Sequence, residues 1–263
     1  MDFDIKDIYT STVGDALAEL STSCGPLSLD ILYDLATECG VGSGSLVLDV
    51  GCANGGNSRK LLSRTDCTIR GVEFLDQLVE LGRRENAATD IAEDRFSISQ
   101  GTILDIQFPN EHFDFVFCRD VLTDIQPLPD AIAECCRILK PGGYMLVYMT
   151  LATPRLSSAE RTELFPPLGV NTADQDYAES CFEDKFTITR RIVIGGQGRQ
   201  HMEESGDHET TEGLVKASRL RTWPERFVEK YGERTYAILL AECLYGVYQL
   251  LGKLQPTIYI LSK

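Results

Sequence analysis

Between Val41 and about Thr150, short apolar runs alternate with longer segments in which apolar residues recur every three to four positions. Runs rich in β-branched and aromatic residues predict buried strands, and the three-to-four spacing predicts amphipathic helices. The predicted strands cover 45–50, 67–73, 96–100, 113–118 and 144–149, and the predicted helices cover 57–63, 75–88 and 129–139. Strands that alternate with helices at this spacing form parallel βαβ units. The segment therefore predicts a doubly wound α/β core with helices on both faces of one sheet.

Two flanking segments depart from this alternation. Residues 1–40 carry apolar positions three and four apart and are predicted to be helical. Residues 151–263 combine polar stretches with long helical patterns and end in a predicted strand at 257–261. We therefore divide the chain into an amino-terminal helical segment (1–40), a core (41–150) and a carboxy-terminal segment that completes the sheet (151–263). Both flanks are expected to form a cap over a ligand pocket; simple helical covering of the sheet is the alternative.

Charge and cysteine content limit the classes of partner. The 263 residues contain 25 Lys and Arg against 40 Asp and Glu, a formal net charge of −15. Nucleic acids and anionic membranes are bound through clustered cations, and since no Lys/Arg run is present, neither partner is expected. The nine cysteines are scattered without a C-x-x-C pair, which argues against a disulfide framework or a zinc site. Because the acidic start lacks an apolar leader, a reducing cytoplasmic location is expected.

The segment VLDVGCANGG (47–56) holds the main candidate site. Ligands of an open parallel sheet bind outside the carboxyl ends of its strands. Gly51 and Gly55 allow a tight turn and a close backbone approach there, and Asp49 can accept hydrogen bonds from a cationic amino group. Glu73 ends the second predicted strand, where its two oxygens suit the vicinal hydroxyls of a ribose. This order and spacing predict a nucleoside-binding site.

The spacing of the glycines distinguishes between nucleoside cofactors. A dinucleotide site requires G-x-G-x-x-G, and a phosphate-binding loop requires G-x-x-x-x-G-K-[ST]. Here the glycines are Gly51, Gly55 and Gly56, so neither motif is present. A ligand with a ribose but no phosphate is therefore favoured.

Four segments together resemble the class I S-adenosylmethionine-dependent methyltransferases, in particular the small-molecule group similar to the ubiquinone and menaquinone biosynthesis enzymes. They are LDVGCANGG, GVEFL, FPNEHFDFVFCRDVLTDI and ILKPGGYMLVYM, within about residues 41–150. The resemblance implies a mostly parallel, seven-stranded Rossmann-like sheet with a helical cap. It also implies S-adenosylmethionine as the cofactor, with S-adenosylhomocysteine as its product, and no metal ion.

By this resemblance, the methionine part of the cofactor lies against Asp49 and the loop formed by Gly51, Cys52, Ala53 and Gly55. Ala53 stands where the family has the middle glycine of G-x-G-x-G. We expect the extra methyl group to be tolerated, because Ala adopts most backbone conformations with negative φ.

The resemblance places the ribose against Glu73 and the adenine against Phe74, Thr102 and Ile103. Thr102 replaces an acidic residue that in the family often contacts the adenine amino group. Arg119 and Asp120 would line the floor near the sulfonium, with an exposed ion pair between them as the alternative. Tyr9 resembles the aromatic residue that closes over the cofactor in relatives.

The expected reaction is methyl transfer to an oxygen or nitrogen of a small-molecule acceptor. Because the sulfonium is already activated, such an enzyme mainly positions the nucleophile and excludes water. Histidine is the natural general base near neutral pH, and His201 in the predicted cap is the candidate. The alternative is that His201 is a surface residue without a catalytic role. A peptide or protein acceptor and a non-catalytic cofactor-binding module remain as other hypotheses. The sequence leaves open the acceptor and the choice between monomer and homodimer.

Overall fold

The fold is described from a computed structural model for Ala16, Glu19, Leu20 and residues 25–263. In this part of the chain, seven strands form one sheet: β1 (Leu46–Val50), β2 (Thr68–Glu73), β3 (Phe96–Gln100), β4 (Phe113–Arg119), β5 (Leu139–Ala152), β6 (Thr187–Val193) and β7 (Leu254–Ser262). Helices α1 to α4 are Ile31–Glu38, Gly56–Thr65, Asp76–Ala88 and Leu128–Ile138. Helices α5 to α10 are Ser158–Leu168, Gln175–Glu183, Gln197–Glu204, Glu209–Thr222, Pro224–Tyr231 and Glu233–Leu250.

The strand order is β3-β2-β1-β4-β5-β7-β6. Strand β7 runs antiparallel to both β5 and β6, and the pairs among β1 to β5 are all parallel. The predicted Rossmann-like α/β sheet is thus confirmed as a mixed sheet with one antiparallel strand. The order reverses between β1, which pairs with β2, and β4, which follows β3 in the chain. A crevice for a ligand opens at such a reversal, outside the carboxyl ends of the strands.

Most predicted elements agree with the structure to within one or two residues, but β7 begins three residues earlier than predicted, and β5 and β6 differ further. Strand β5 begins at Leu139, directly after α4, because the Pro-Gly-Gly segment predicted to separate helix from strand belongs to the strand. The strand passes through left-handed backbone at Gly142 (φ +76°), and its register with β4 shifts between Phe113 and Phe115. Strand β6 is not among the strands predicted from the sequence. This strand lies at the sheet edge with most of its residues exposed, so its sequence lacks the apolar alternation of a half-buried strand.

Three apolar clusters hold the elements together. One fills the sheet face covered by α4 and α6, and a second fills the opposite face, covered by α1, α2 and α3. The third lies between α5, α8 and α10. The carboxy-terminal segment therefore packs its own helical core while also contributing β6 and β7 to the sheet. None of the helices in the described ranges is long and apolar enough to cross a membrane.

Candidate active site

A cavity of about 450 Å³ opens at the carboxyl ends of β1, β2 and β4. We call it the larger cavity. Its lining includes most of the residues singled out from the sequence for the nucleoside part of a cofactor: Gly51, Glu73, Phe74, Thr102, Ile103 and Asp120. Val121, Asp124 and Ile125, which follow β4, complete one wall. The structure thus brings together motifs that lie up to 75 residues apart in the sequence at the topological reversal of the sheet.

Glu73 joins the end of β2 to the loop that follows β1. Its Oε2 accepts a hydrogen bond from the backbone N–H of Ala53, and its Oε1 accepts one from the N–H of Leu75, both at 2.9 Å. The residue is 8% exposed and lines the larger cavity. A carboxylate oxygen has two acceptor sites, so each oxygen can still accept a hydrogen bond from a ligand. The position suits two adjacent hydroxyl donors.

The loop after β1 requires glycine at two positions. Gly51 has φ +65°, and a Cβ built on it would overlap Val121 Cγ2. Gly55 has φ +83°, and a Cβ there would lie 2.8 Å from the Phe96 ring. Left-handed backbone is accessible to glycine at little cost. The two glycines therefore let the chain turn back sharply beside the larger cavity, which Gly51 lines and Gly55 does not.

Ala53, between these glycines, also adopts left-handed backbone, with φ +49°. The expectation that it would fit with negative φ is therefore wrong. The turn is imposed by the hydrogen bond from its N–H to Glu73 and by its neighbours. A left-handed conformation costs a non-glycine residue about 1–2 kcal/mol, so the loop carries local strain that the family's usual glycine would lack.

We expect Ala53→Gly to stabilise the protein by about 0.5–1 kcal/mol, because relief of left-handed strain exceeds the entropic cost of glycine. Urea unfolding would measure the change. The control is Ala133→Gly in the middle of α4, which should lower the free energy of unfolding by about 1 kcal/mol. Destabilisation of both variants to the same extent would contradict the strain argument.

Asp49 lies beneath this loop and is 2% exposed. The hydroxyl of Ser58 donates a hydrogen bond to its Oδ2. Burial raises the pKa of Asp49 to about 7, although the Ser58 hydrogen bond and the nearby Arg119 act to lower it. Among the described residues, Asp49 does not line the larger cavity, and neither do Cys52 and Ala53. Direct contact of Asp49 with a ligand's amino group remains a prediction.

The wall assigned to the adenine is apolar and partly open. The Phe74 side chain is exposed at the cavity mouth, at 71%, whereas Ile103 is buried. The Thr102 hydroxyl accepts a hydrogen bond from the N–H of Leu104 at 3.3 Å, so its oxygen already serves the local turn. An exposed ring beside a nucleoside-sized cavity offers a face for stacking.

Arg119 and Asp120, at the end of β4, form an ion pair with 3.7 Å between Nε and Oδ2. The pair is not a simple surface ion pair, because Arg119 also makes a hydrogen bond and an aromatic contact. Its Nη1 donates to Asn57 Oδ1 at 2.6 Å, and its guanidinium lies 5.7 Å from the centre of the Tyr148 ring. Asp120 has φ +55° and lines the larger cavity. Its surroundings raise the pKa of its carboxyl to about 6, chiefly through loss of solvent.

A second cavity of about 160 Å³, the smaller cavity, adjoins the first at Asp120. Its wall comes from β4, β5, α7 and α10 and includes the polar residues Arg119, Tyr148, Arg199, Tyr245 and Gln249. Arg199 donates from Nε to Gln249 Oε1 and from Nη1 to Glu209 Oε2, each at 2.7 Å. Burial raises the pKa of both tyrosines, so their hydroxyls stay protonated donors near neutral pH.

The two remaining predicted residues are not placed in either cavity. His201 lies on α7, but the residues of this helix that line the smaller cavity are Gly198, Arg199 and Met202. Its role as the base remains a prediction that its position does not support. Tyr9 lies outside the described residues.

Several lining residues were not singled out from the sequence. Asp124 lies within the FCRDVLTDI segment, and its position five residues after β4 was the available signal. Tyr148 is the fifth residue of the predicted strand at 144–149, and its side chain gave no sign of facing a cavity. Arg199 and Tyr245 belong to helices far along the chain, and no spacing connects them to the glycine loop.

Comparison with known proteins identifies the core. Residues 48–147 match the methyltransferase domain family. Over 123 residues, 47% of this chain, the sequence is 30% identical to a sterol 24-C-methyltransferase of Aspergillus fumigatus (strain ATCC MYA-4609 / CBS 101355 / FGSC A1100 / Af293). Over 78 residues, 30% of this chain, it is 32% identical to a demethylmenaquinone methyltransferase of Symbiobacterium thermophilum (strain DSM 24528 / JCM 14929 / IAM 14863 / T). The chain spans about one third of the length of these relatives, with 32% and 31% covered.

The fold extends beyond this matched core. The solved structure of the [4+2]-cyclase SpnF superposes with a TM-score of 0.69 at 20% identity, over 92% of this chain and 84% of that one. The flanking helices and the antiparallel end of the sheet therefore belong to the shared architecture. Residues 48–147 therefore match a methyltransferase domain, and the wider chain shares the fold of this cyclase structure, in agreement with the Rossmann-like architecture that its motifs predict.

Proposed function

We propose that the protein transfers a methyl group from S-adenosylmethionine to an oxygen or nitrogen of a small-molecule acceptor. The observation that carries the proposal is the meeting of two cavities at Asp120, one beside the glycine loop and Glu73, the other walled by α7 and α10. Two ligands held in these cavities would meet at one point. This is the arrangement that an in-line transfer between them requires.

The residues of the larger cavity fit the proposed cofactor. Gly51 lines the cavity without a side chain, so its backbone would lie against the methionine part, and the tight turn has no room for a Cβ at Gly51 or Gly55. Glu73 lines the cavity, where its carboxylate would bind the ribose hydroxyls, and Phe74 offers an exposed ring to the adenine. When bound, the cofactor would supply an activated methyl group. Chain residues would bind it, orient it and exclude water.

The acceptor atom is inferred from the smaller cavity. The names of the relatives specify a carbon acceptor for the sterol enzyme, so carbon is the alternative to oxygen or nitrogen. The lining of the smaller cavity, however, is rich in charged and hydroxyl groups, including Asp120, Arg199 and Tyr245. Covering such groups with hydrocarbon leaves them without hydrogen bonds and costs several kcal/mol. A polar acceptor is therefore favoured.

The carboxy-terminal helices are proposed to act as a cap on the acceptor. Both α7 and α10 contribute to the wall of the smaller cavity, and the Arg199 hydrogen bonds join α7 to α8 and α10. A cavity of about 160 Å³ walled by these helices favours a small molecule over a peptide or protein chain, which would need an open groove.

Binding and transfer must be tested separately, since the fold also occurs in a cyclase. Calorimetric titration with S-adenosylmethionine and S-adenosylhomocysteine tests the cofactor. Transfer of labelled methyl groups from the cofactor to panels of phenols, alcohols, amines and carboxylates then tests the reaction. Binding without transfer to any acceptor would favour the non-catalytic module, and no binding would refute the proposal.

Phe74→Ala is expected to weaken S-adenosylhomocysteine binding about 5- to 20-fold, through loss of one stacking partner. Because its side chain is largely exposed, the free energy of unfolding should change by less than about 0.5 kcal/mol. Calorimetry and urea unfolding measure the two effects. Leu81→Ala on α3, also exposed but outside the cavity lining, is the control. Equal affinities of Phe74→Ala and the wild type would remove the stacking assignment.

A further inference from the structure

The position of Asp120 points to a function beyond lining the cofactor. Both cavities include it, and it follows directly after β4, whose last residue Arg119 is held in place by Asn57 and Tyr148. Its own N–H donates to Tyr148 O at 2.8 Å, which fixes its left-handed backbone. The carboxylate is therefore held on a rigid strand end, at the boundary between the two ligands of the proposed reaction.

This carboxylate is open to the cavities and lacks a hydrogen-bond donor. In the described part of the chain, its only side-chain partner is Arg119, at 3.7 Å, which is beyond normal hydrogen-bond length. Its side chain is 46% exposed, yet protein surrounds it on several sides. Because Asp120 lines both cavities, part of its exposed surface faces them. A half-exposed carboxylate that receives no hydrogen bond from the described residues keeps its acceptor sites free for an O–H or N–H donor of a ligand.

The charges around Asp120 come from every element packed against it. Arg119 from β4 and Arg199 from α7 favour its ionised form, and Asp124 from the loop after β4 opposes ionisation. Tyr148 from β5 and Tyr245 from α10 contribute protonated hydroxyls, and Glu209 at the start of α8 is neutralised by Arg199. Burial outweighs the two arginines and raises the Asp120 pKa to about 6. A carboxylate with such a pKa is mostly ionised at neutral pH and can still accept a proton efficiently.

We propose that Asp120 is the residue that accepts the acceptor's proton, and that the acceptor is accordingly an alcohol, a phenol or an amine held in the smaller cavity. The inference rests on the proposed function. The acceptor's lone pair forms the new bond to the methyl carbon, and the carbon–sulfur bond breaks with its electron pair left on sulfur. The proton on the attacking oxygen or nitrogen passes to the Asp120 carboxylate and from there to water. Asp120, not His201, then has the geometry of the base.

The inference can be tested before the acceptor is known. Sinefungin carries a charged amine where S-adenosylmethionine carries its transferable methyl group, and S-adenosylhomocysteine carries nothing there. If the Asp120 carboxylate faces that point, the wild type should bind sinefungin at least 10-fold more tightly than S-adenosylhomocysteine at pH 7.5. Asp120→Asn should lower this ratio at least 10-fold. Asparagine tolerates left-handed backbone, so the substitution suits the strand end.

Asp130→Asn is the matched control, because it removes one carboxylate at an exposed position on α4 that lines neither cavity. Its ratio should stay within about 3-fold of the wild type. The wild-type ratio should also fall as the pH decreases through about 6, where Asp120 becomes protonated; this measurement needs no variant. An unchanged ratio in Asp120→Asn, an equal decrease in Asp130→Asn, or a ratio independent of pH would overturn the inference. Failure of both sinefungin and S-adenosylhomocysteine to bind would instead refute the proposed function.

Discussion

Replacement of Glu73 by alanine should lower the affinity for S-adenosylhomocysteine about 10- to 100-fold, since hydrogen bonds to a charged group contribute about 1.5–3 kcal/mol. Glu73 lies at the end of β2 and lines the larger cavity. Its two backbone partners, the N–H groups of Ala53 and Leu75, would lose their acceptor. The free energy of unfolding of the variant should therefore also be lower by about 1–3 kcal/mol.

Glu73→Gln separates these two effects. Glutamine has one acceptor oxygen and one amide nitrogen, so it can satisfy one of the two backbone N–H groups and presents hydrogens to the other. We expect its affinity to fall nearly as much as that of the alanine variant. Asp76→Asn, three residues further along and outside the cavity lining, removes the same charge and should change affinity by less than about 2-fold.

A cofactor analogue tests the ribose assignment directly. The 2′,3′-dideoxy form of S-adenosylhomocysteine should bind the wild type at least 10-fold more weakly than the parent compound. Against Glu73→Ala the two compounds should bind nearly equally, because the partner of the hydroxyls is gone. Equal discrimination by both proteins would show that Glu73 supports the loop but does not contact the ribose.

The sequence predicts the cofactor half of the site because its residues follow strand ends. Asp49, Glu73 and Asp120 each stand at or directly after the end of an apolar run, and parallel strands bring these ends to one edge of the sheet. The glycines mark the turn that connects the first strand to its helix. Local patterns therefore determine the larger cavity almost completely.

The acceptor half does not follow from local patterns. Arg199 and Tyr245 line the smaller cavity with Asp120 only because α10 packs in the third apolar cluster and Arg199 joins α7 to α8 and α10. Each looks like an ordinary helix residue in the sequence. His201 was predicted from its chemistry alone. Whether such a residue lines a cavity depends on the face of the helix that it occupies, and the sequence of a short polar segment specifies that face poorly. The backbone of Ala53 shows the same limit. The hydrogen bond to Glu73 imposes a positive φ on Ala53, whereas the propensity of alanine predicts a negative φ.

Asp49→Asn should stabilise the protein at pH 8, an unusual result for a buried polar residue. The carboxyl is fully enclosed and hydrogen-bonded by Ser58, and burial raises its pKa from 3.8 to about 7. A raised pKa in the folded state means that folding favours the protonated form. The associated stability is complete below pH 3.8 and is lost as the pH rises to about 7. At 1.36 kcal/mol for each pH unit, the loss amounts to about 4 kcal/mol at pH 8.

Asparagine has the shape of the neutral carboxyl, its oxygen can accept the Ser58 hydrogen bond, and it does not ionise. The advantage of the variant in free energy of unfolding should therefore grow by about 3 kcal/mol between pH 5 and pH 8. Urea unfolding at both pH values measures it. For Asp114→Asn, we expect the stability difference from the wild type to change with pH in the opposite direction. Burial acts to raise the Asp114 pKa, but Lys140 and the Leu46 N–H lower it overall, so ionisation stabilises the fold. That variant should lose stability relative to the wild type as the pH rises.

A buried carboxylate that opposes folding at neutral pH is expected where a cationic ligand is to be bound, because the ligand's charge then offsets the cost of ionisation. Asp49, near the end of β1, fits this description; Asp120, half-exposed directly after the adjacent strand β4, also has a raised pKa. Binding of S-adenosylmethionine should accordingly release protons at pH 6.5, and the release should decrease in Asp49→Asn. If Asp49→Asn is no more stable than the wild type at pH 8, other groups of the protein already stabilise the Asp49 carboxylate. The argument that its charge is stabilised by a cationic ligand would then be wrong.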